Sequence, residues 1–573
     1  MDNAQVAAVF DEIADILELK GGEDFRVRSY RNAARTVRDL PESIEEVARD
    51  KRKLLDLPGI GESIADKIVE ILKTGTARRL EELRTQVPPG LGELLRVPGL
   101  GPKRARQLYE ELGVKSLEEL KAAAEAHRIC GLEHLGEKTE EKIRRGIATV
   151  ESAGSRVKLK EADDRMRSLG EELDRLASVR RWTPAGSWRR RRETVGDLDV
   201  LVDAPDRDAA AGELVALAGV EGLVERGPEK VTVRLAGGLA VNFRFHKGDA
   251  HGAALLYFTG SKEHNIRLRR AAQERGWKLN EYGIFDGQRR LAGRTEEEMY
   301  EKLALAFVPP ELREDRGEIE AAAAGELPRL VESGDIRGDL HVHTRETDGH
   351  NTIAEMAAAA RDRGYEYLAI TDHSKAVTVA RGMDETRCRR HVEAIRSAAA
   401  DLEDLWLMAG IEVDILKTGR LDMPEKLLAE LDWVTASVHS HFTLDEKAMT
   451  ARMLEAIRSG MIHAISHPFG RQIGARDPIR FDADAVFGEC AERGVALEIN
   501  SYPDRMDLPD TYCKWARELG ARMVVTTDAH DVAGLGFLEY GVANARRGWL
   551  EKKDVLNALP AAGLRKRLKR PKK

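Results

Sequence analysis

From residue 338 onward, short apolar runs alternate with helical stretches, and these runs end repeatedly on side chains that bind metals. The runs are Leu340 to His343, Tyr367 to Ile370, Leu407 to Val413, Trp433 to Val438, His463 to Ser466, Val495 to Ile499 and Met523 to Thr526. Seven βα units in a row predict a parallel sheet closed into an α/β barrel, TIM-like but one unit short. The working residues of such barrels sit at the C-terminal ends of the strands. Nine ligand types fall at those ends or just beyond them: His341, His343, Asp348, His373, Glu412, His439, His467, Asp528 and His530. A single histidine after a strand is usually a core or loop residue. Nine ligands of imidazole and carboxylate type, without thiolates, instead describe a hydrolytic centre for Zn, Mn or Fe.

At 573 residues the chain is too long for one core and calls for about three or four domains. The net charge of −7 gives no global signal for nucleic acid, so such binding rests on local basic patches. Cys130, Cys388, Cys490 and Cys513 lack paired spacing and fit a reducing cytosol better than a disulfide framework. The N-terminus lacks a basic region followed by an apolar core, and no apolar stretch approaches membrane-spanning length. A soluble, cytoplasmic protein without membrane contact is expected.

Residues 1–155 read as helix after helix, broken at Pro58-Gly59, Pro88-Pro89-Gly90 and Pro98-Gly99. Two breaks are near copies: Leu57-Pro-Gly-Ile-Gly-Glu-Ser-Ile-Ala and Val97-Pro-Gly-Leu-Gly-Pro-Lys-Arg-Ala. This is the helix-hairpin-helix pattern. Gly59, Gly61, Gly99 and Gly101 let helix N-terminal amides approach a DNA phosphate, with Lys103 and Arg104 adding charge. A third copy, Leu132-Glu-His-Leu-Gly-Glu-Lys-Thr, lacks the first glycine.

A β-rich block follows, with Gly196-Asp-Leu-Asp-Val-Leu-Val and Ala240-Val-Asn-Phe-Arg-Phe as alternating strands. Asp197 and Asp199 point to one side of their strand and can hold a divalent metal between them. Upstream, Gly186-Ser-Trp-Arg-Arg offers a glycine turn, a hydroxyl and a guanidinium suited to triphosphate oxygens. Together they suggest metal-dependent nucleotidyl transfer. The block closes at Val308-Pro-Pro-Glu-Leu-Arg-Glu, and an alanine-rich charged stretch after it reads as a linker. The tail from Arg565 is strongly basic, either a solvated extension or a phosphate contact.

These segments closely resemble the bacterial X-family DNA polymerases, which join a polymerase-beta-like core to a C-terminal PHP (polymerase and histidinol phosphatase) domain. The resemblance is carried by Phe25-Arg-Val-Arg-Ser-Tyr-Arg-Asn-Ala-Ala-Arg, the hairpins, Gly186-Ser-x-Arg-Arg, Gly196-Asp-Leu-Asp, Tyr257-Phe-Thr-Gly-Ser-Lys-Glu-His-Asn and Pro309-Pro-Glu-Leu-Arg-Glu. It implies a helical DNA-end-binding domain (1–85), a helical fingers-like domain (86–155), an α+β palm and thumb (156–308), a linker (309–336) and a PHP domain (337–573). In the palm, Asp197 and Asp199 look like the first two catalytic carboxylates, with Mg or Mn between them. Gly186, Ser187, Arg190 and Gly196 look like the nucleotide cradle, Tyr257, Phe258 and Asn265 the nascent-pair pocket, and Arg269 a template contact. Lys67 matches the Schiff-base lysine of the family's deoxyribose-phosphate lyase. The PHP resemblance implies three Mn, Zn or Fe ions: His341, His343, Glu412 and Asp528 at one, Glu412, His439 and His467 at a second, Asp348, His373 and His530 at a third. Arg471, just past His467, is a candidate phosphate contact.

One position departs from the family. Where its third catalytic aspartate stands, this chain has Asn242, which offers a neutral amide oxygen and no base for a primer hydroxyl. The expectation is a monomeric DNA repair enzyme acting on gapped or nicked duplex and 3′ ends with deoxynucleoside triphosphates, its synthesis weakened by Asn242. The rivals are a phosphatase for a small phosphomonoester, and a nuclease whose palm only holds DNA.

Overall fold

The computed structural model describes residues 3–568 except 22–23, 39, 41–43, 49, 75, 85, 88–90, 96, 98–99, 134, 155 and 401. It divides into two compact units, residues 1–154 and the remainder, apart from the short segments 376–379 and 440–443, which group with the first. Among the described residues, no helix is long and apolar enough to cross a membrane.

The first unit is all helical and has two cores. Val6, Phe10, Ile13, Ile64 and Ile68 lie in one, and Leu94, Leu100, Leu108, Leu120 and Ile143 in the other. Three hairpin turns punctuate it, each closed by a backbone bond between apolar residues three apart: Ile60 to Leu57, Leu100 to Val97 and Leu135 to Leu132. The helices they launch begin at Glu62, Pro102 and Glu137. The third copy therefore makes the same closing bond without the first glycine.

The second unit opens with a five-stranded sheet in the order Arg181–Pro184, Asp197–Asp203, Ala240–Phe245, Lys230–Leu235, Val220–Arg226. Asp197–Asp203 and Ala240–Phe245 run parallel, with Asp199 opposite Asn242. Helices His251–Thr259 and Lys262–Gln273 and a small antiparallel sheet follow. Residues 309–336 differ from the expected linker. They are folded: Leu312, Ile319, Ala322 and Leu330 are buried in a core shared with Leu256, Leu268 and Tyr300. Arg313 is fully buried, and its Nη1 bonds Glu296 at 2.6 Å, whose other oxygen takes Arg189 Nη2 at 2.6 Å. This anchoring of a charged stretch could not be read from its composition.

The barrel follows in strict chain order: Gly338–Val342, Tyr367–Ile370, Trp406–Asp414, Trp433–Ser437, Ala464–Ile465, Ala496–Asn500 and Met523–Thr526, all parallel. A parallel bridge from Val342 to Ala529 links the last unit to the first. These strands read as near-continuous apolar runs because both of their faces are covered.

Candidate active sites

All nine ligand residues meet at the C-terminal mouth of the barrel. His341 lies in the first strand and Glu412 in the third, while His343, His373, His439, His467, Asp528 and His530 stand just past strand ends, and Asp348 sits in the first loop. Four groups among the described residues bring donor atoms within 4.8 Å of one another, and three of them lie here: His343, Asp348, His373 and His530; His341, His343 and Asp528; His373, Glu412 and His439; the fourth, His127, Cys130 and Glu140, lies in the first unit. His467 Nε2 joins the group of His373, Glu412 and His439 at 3.0 Å from Glu412 Oε1. Glu412 lies at the centre, with His341 and His343 Nε2 at 3.5 and 3.7 Å from its Oε2. His343 and His373 each serve two groups, a sharing that the residue-by-residue resemblance did not assign.

The donor set fits divalent ions. His341 Nε2, His343 Nδ1, His373 Nδ1 and Glu412 Oε2 are buried without a hydrogen-bond partner. His373 Nδ1 approaches Glu412 Oε2 at 2.8 Å but without hydrogen-bond alignment, as lone pairs aimed at a common cation would. Burial alone would raise Glu412, yet His373, His341 and His439 hold it well below the usual carboxylate range. Burial would lower His341, but Glu498, Glu412 and Asp528 raise it well above the usual histidine value. His373 is raised in the same way, against burial, by Glu412 and Asp348.

Glu498 escaped the sequence reading. It lies mid-strand in Ala496–Asn500 and takes His341 Nδ1 at 2.5 Å, leaving Nε2 to face the centre. The available signal was an acid inside an otherwise apolar run, which must find a partner when buried. Asp414 similarly faces His439 Nδ1 at 3.2 Å, and Asn500 Nδ2 bonds Asp528 Oδ2 at 3.0 Å.

In the palm, Asn242 Nδ2 donates to Asp197 Oδ2 at 2.8 Å and to Asp199 Oδ1 at 3.2 Å, while its Oδ1 accepts from Thr232 at 2.9 Å. The amide thus stands between the two acids, where a cation would serve both. Burial first, then Asp197, pushes Asp199 up to about 6, so the pair favours a positive partner. Gly186 is required at φ 65°, and a Cβ there would stand 2.5 Å from Asp199 Oδ2. It leads directly into the turn carrying Ser187, and Gly196 immediately precedes Asp197. Asp249 is no substitute for the missing acid, since it pairs with Arg290 at 2.8 Å.

Two of the expected phosphate-contact arginines carry bonds within the chain. Arg190 Nε is paired with Glu314 at 3.0 Å and its Nη1 bonds the Thr259 carbonyl. Arg471 Nη2 is paired with Glu193 at 2.6 Å and bonds the Met506 carbonyl, tying the barrel to the palm, while its Nε is buried without a partner. Tyr257 and Phe258 meet edge to face at 5.2 Å, and Asn265 Nδ2 bonds the Tyr257 carbonyl at 2.7 Å. Arg269 Nε bonds the Asn265 carbonyl at 3.3 Å.

In the first unit, Gly59, Gly61, Gly101, Lys103 and Arg104 are exposed, and a Cβ at Gly61 or Gly101 would meet nothing within 4 Å. Gly59 needs its φ of 77°. Gly99 and the last tail residues, 569–573, lie outside the described residues. Lys67 Nζ bonds Ser63 Oγ at 2.8 Å and lies 5.9 Å over the Tyr30 ring. Burial, with Arg79 adding to it, pulls Lys67 below the ordinary lysine value.

Residues 1–77 match a helix-hairpin-helix domain, 91–149 a SAM-like helix-hairpin-helix tandem, 254–314 the DNA polymerase beta thumb, and 339–502 the PHP domain. The chain is 36% identical over 563 residues to the DNA polymerase/3′-5′ exonuclease PolX of Bacillus subtilis (strain 168), covering 97% of this chain and 98% of that protein. It is 27% identical over 352 residues to DNA polymerase lambda of Arabidopsis thaliana, covering 54% of this chain and 62% of that protein. The probable phosphatase PBPRB2022 of Photobacterium profundum is 32% identical over 212 residues, 35% of this chain and 81% of that protein. The chain belongs to the PolX family of X-family DNA polymerases with a PHP domain, and is an enzyme of that class. The small-molecule phosphatase rival accounts for the barrel alone.

Because His341 and His373 hold protons well above the usual histidine value in the metal-free protein, a bound ion must displace them. Titration of Mn at pH 7 in buffers of different ionisation heat should show net proton release, with affinity rising as pH rises. Equal heats in all buffers would contradict this protonation.

Proposed function

We propose that this chain repairs DNA with two opposed activities, extending 3′ ends at gaps or nicks in the palm and trimming them 3′-5′ at the barrel mouth. The hairpin turns hold the DNA backbone through exposed helix N-terminal amides, with Lys103 and Arg104 beside them. The convergence of nine ligands with unpartnered buried atoms at their centre is the observation that carries the trimming half.

At the barrel mouth, Glu412 binds centrally, and His341, His343, Asp528, His439, His467, Asp348, His373 and His530 complete places for Mn, Zn or Fe. Such ions stabilise phosphoryl oxygens and supply a water acidic enough to attack near neutral pH. Glu498 and Asp414 fix which imidazole nitrogen faces inward. In the palm, Asp197 and Asp199 would hold Mg or Mn, which would neutralise triphosphate charge, and Gly186 and Ser187 would lie near the phosphates of a deoxynucleoside triphosphate. Arg190 reaches a triphosphate only by leaving Glu314. Asn242 cannot take the primer proton, and to ligate an ion through its oxygen it must turn its amide and give up the Thr232 bond. Synthesis is therefore weak beside degradation.

On gapped primer-template, Glu412→Ala should abolish primer shortening. In that background Asn242→Asp should raise nucleotide incorporation at least about a hundredfold, since a lost general base costs ~10²–10⁴-fold. Robust Mg-dependent extension by the Asn242 protein, unchanged on reversion, would refute the role given to this residue.

Burial pulls Lys67 below the ordinary lysine value, in the direction that Schiff-base formation requires. Borohydride trapping on an incised abasic substrate should give a covalent adduct with the parent protein and none with Lys67→Ala. Absence of an adduct in the parent would remove the lyase role.

A further inference from the structure

We propose that Arg505 binds the non-bridging oxygens of the phosphate being cleaved at the barrel mouth, an inference that deepens the exonuclease reading and rests on it. Arg505 lies in the loop that follows strand Ala496–Asn500, close to the ligand Asp528. Its side chain is 19% exposed, its Nε stands 3.4 Å from Asp528 Oδ2, and its Nη1 is buried with no hydrogen-bond partner. A buried guanidinium N–H without an acceptor costs free energy that a bound anion would recover.

Asp528 divides its two oxygens. Oδ1 faces His343 Nε2 at 3.1 Å and His341 Nε2 at 3.6 Å, while Oδ2 faces Asn500 and Arg505. Arg505 therefore stands beside the ligand cluster rather than within it, on the side where Asp528 is not turned to the histidines. The guanidinium thus borders a ligand residue, and its planar fork matches two oxygens of one phosphate.

The surrounding loop is held from the palm side. Lys158 Nζ bonds Asp504 at 2.7 Å, and Met506 packs in the palm core with Val195 and Leu198. Both chain neighbours of Arg505 are thereby anchored, which fixes the direction of the side chain. The other arginine nearby, Arg471, also has a buried Nε without a partner, but its Nη2 is held by Glu193 and the Met506 carbonyl, and among the described residues the structure gives it no contact with a ligand residue such as Arg505 has with Asp528.

The full-length protein loaded with Mn is assayed on the p-nitrophenyl ester of thymidine 5′-monophosphate, a phosphodiester too small to need the hairpins, with inorganic phosphate as competing inhibitor. Arg505→Gln should raise KM and the phosphate inhibition constant by about ten- to a hundredfold, the range for a lost bond to a charged group. Bound Mn, measured by elemental analysis, should be unchanged, and Arg505→Lys should recover part of the affinity. Unchanged KM and phosphate inhibition in Arg505→Gln would overturn the proposal. Loss of Mn from both variants would also overturn it, making Arg505 a support for Asp528 only. A parent protein inert toward the ester with Mn bound would overturn the exonuclease reading itself, and this inference with it.

Discussion

Carboxylates gathered out of water need positive partners, because an uncompensated buried charge costs several kcal/mol. Both reactive sites of this chain are answers to that constraint, and they differ in how it is met. At the barrel mouth Glu412 and Asp528 are ringed by histidines, of which His341, His373 and His530 are raised by nearby acids, a donor set suited to metal. In the palm the two acids are bridged by the amide of Asn242, a neutral group that supplies only partial positive charge. The barrel centre is thereby arranged to bind ions tightly, and the palm centre is partly satisfied without one.

The two sites are mechanically joined within one compact unit. Arg547 from the barrel side bonds the Arg190 carbonyl at 2.7 Å and pairs with Glu314 at 3.0 Å and Asp510 at 2.6 Å. Glu314 also holds Arg190, the residue matched to the nucleotide cradle. Glu193, a few residues before Asp197, takes Arg471 from the loop after His467. The turn that carries Arg190 and Glu193 is thus bonded to elements that include the loop after His467.

Much of this was legible in the chain because the signals are local. The barrel strands are apolar on both faces and end on ligand residues, so period and chemistry coincide. The hairpin turns were legible for the same reason, and the third keeps the closing bond from Leu135 to Leu132. What could not be read was pairing at a distance. Arg471 and Glu193 are 278 residues apart, Arg190 and Glu314 124 apart, and nothing near either arginine in sequence announces its partner. Glu498 carried no motif, and its partners arrive from elsewhere in the barrel, His341 from 157 residues away, with His467 N and Thr526 Oγ1. The stretch 309–336 has the composition of a linker, yet Arg313 and Glu318 are buried through Glu296 and His264.

The claim on which the account turns is that, before a nucleotide binds, positive charge is supplied by metal at one centre and by an amide at the other. Anomalous diffraction at the Mn edge, from crystals grown with Mn and without nucleotide, reads both centres at once. The account predicts peaks among His341, His343, Glu412, Asp528 and the other barrel ligands, and none between Asp197 and Asp199, with Asn242 still bridging them. A strong peak between Asp197 and Asp199 with Asn242 turned aside, or a barrel mouth without peaks, would contradict it.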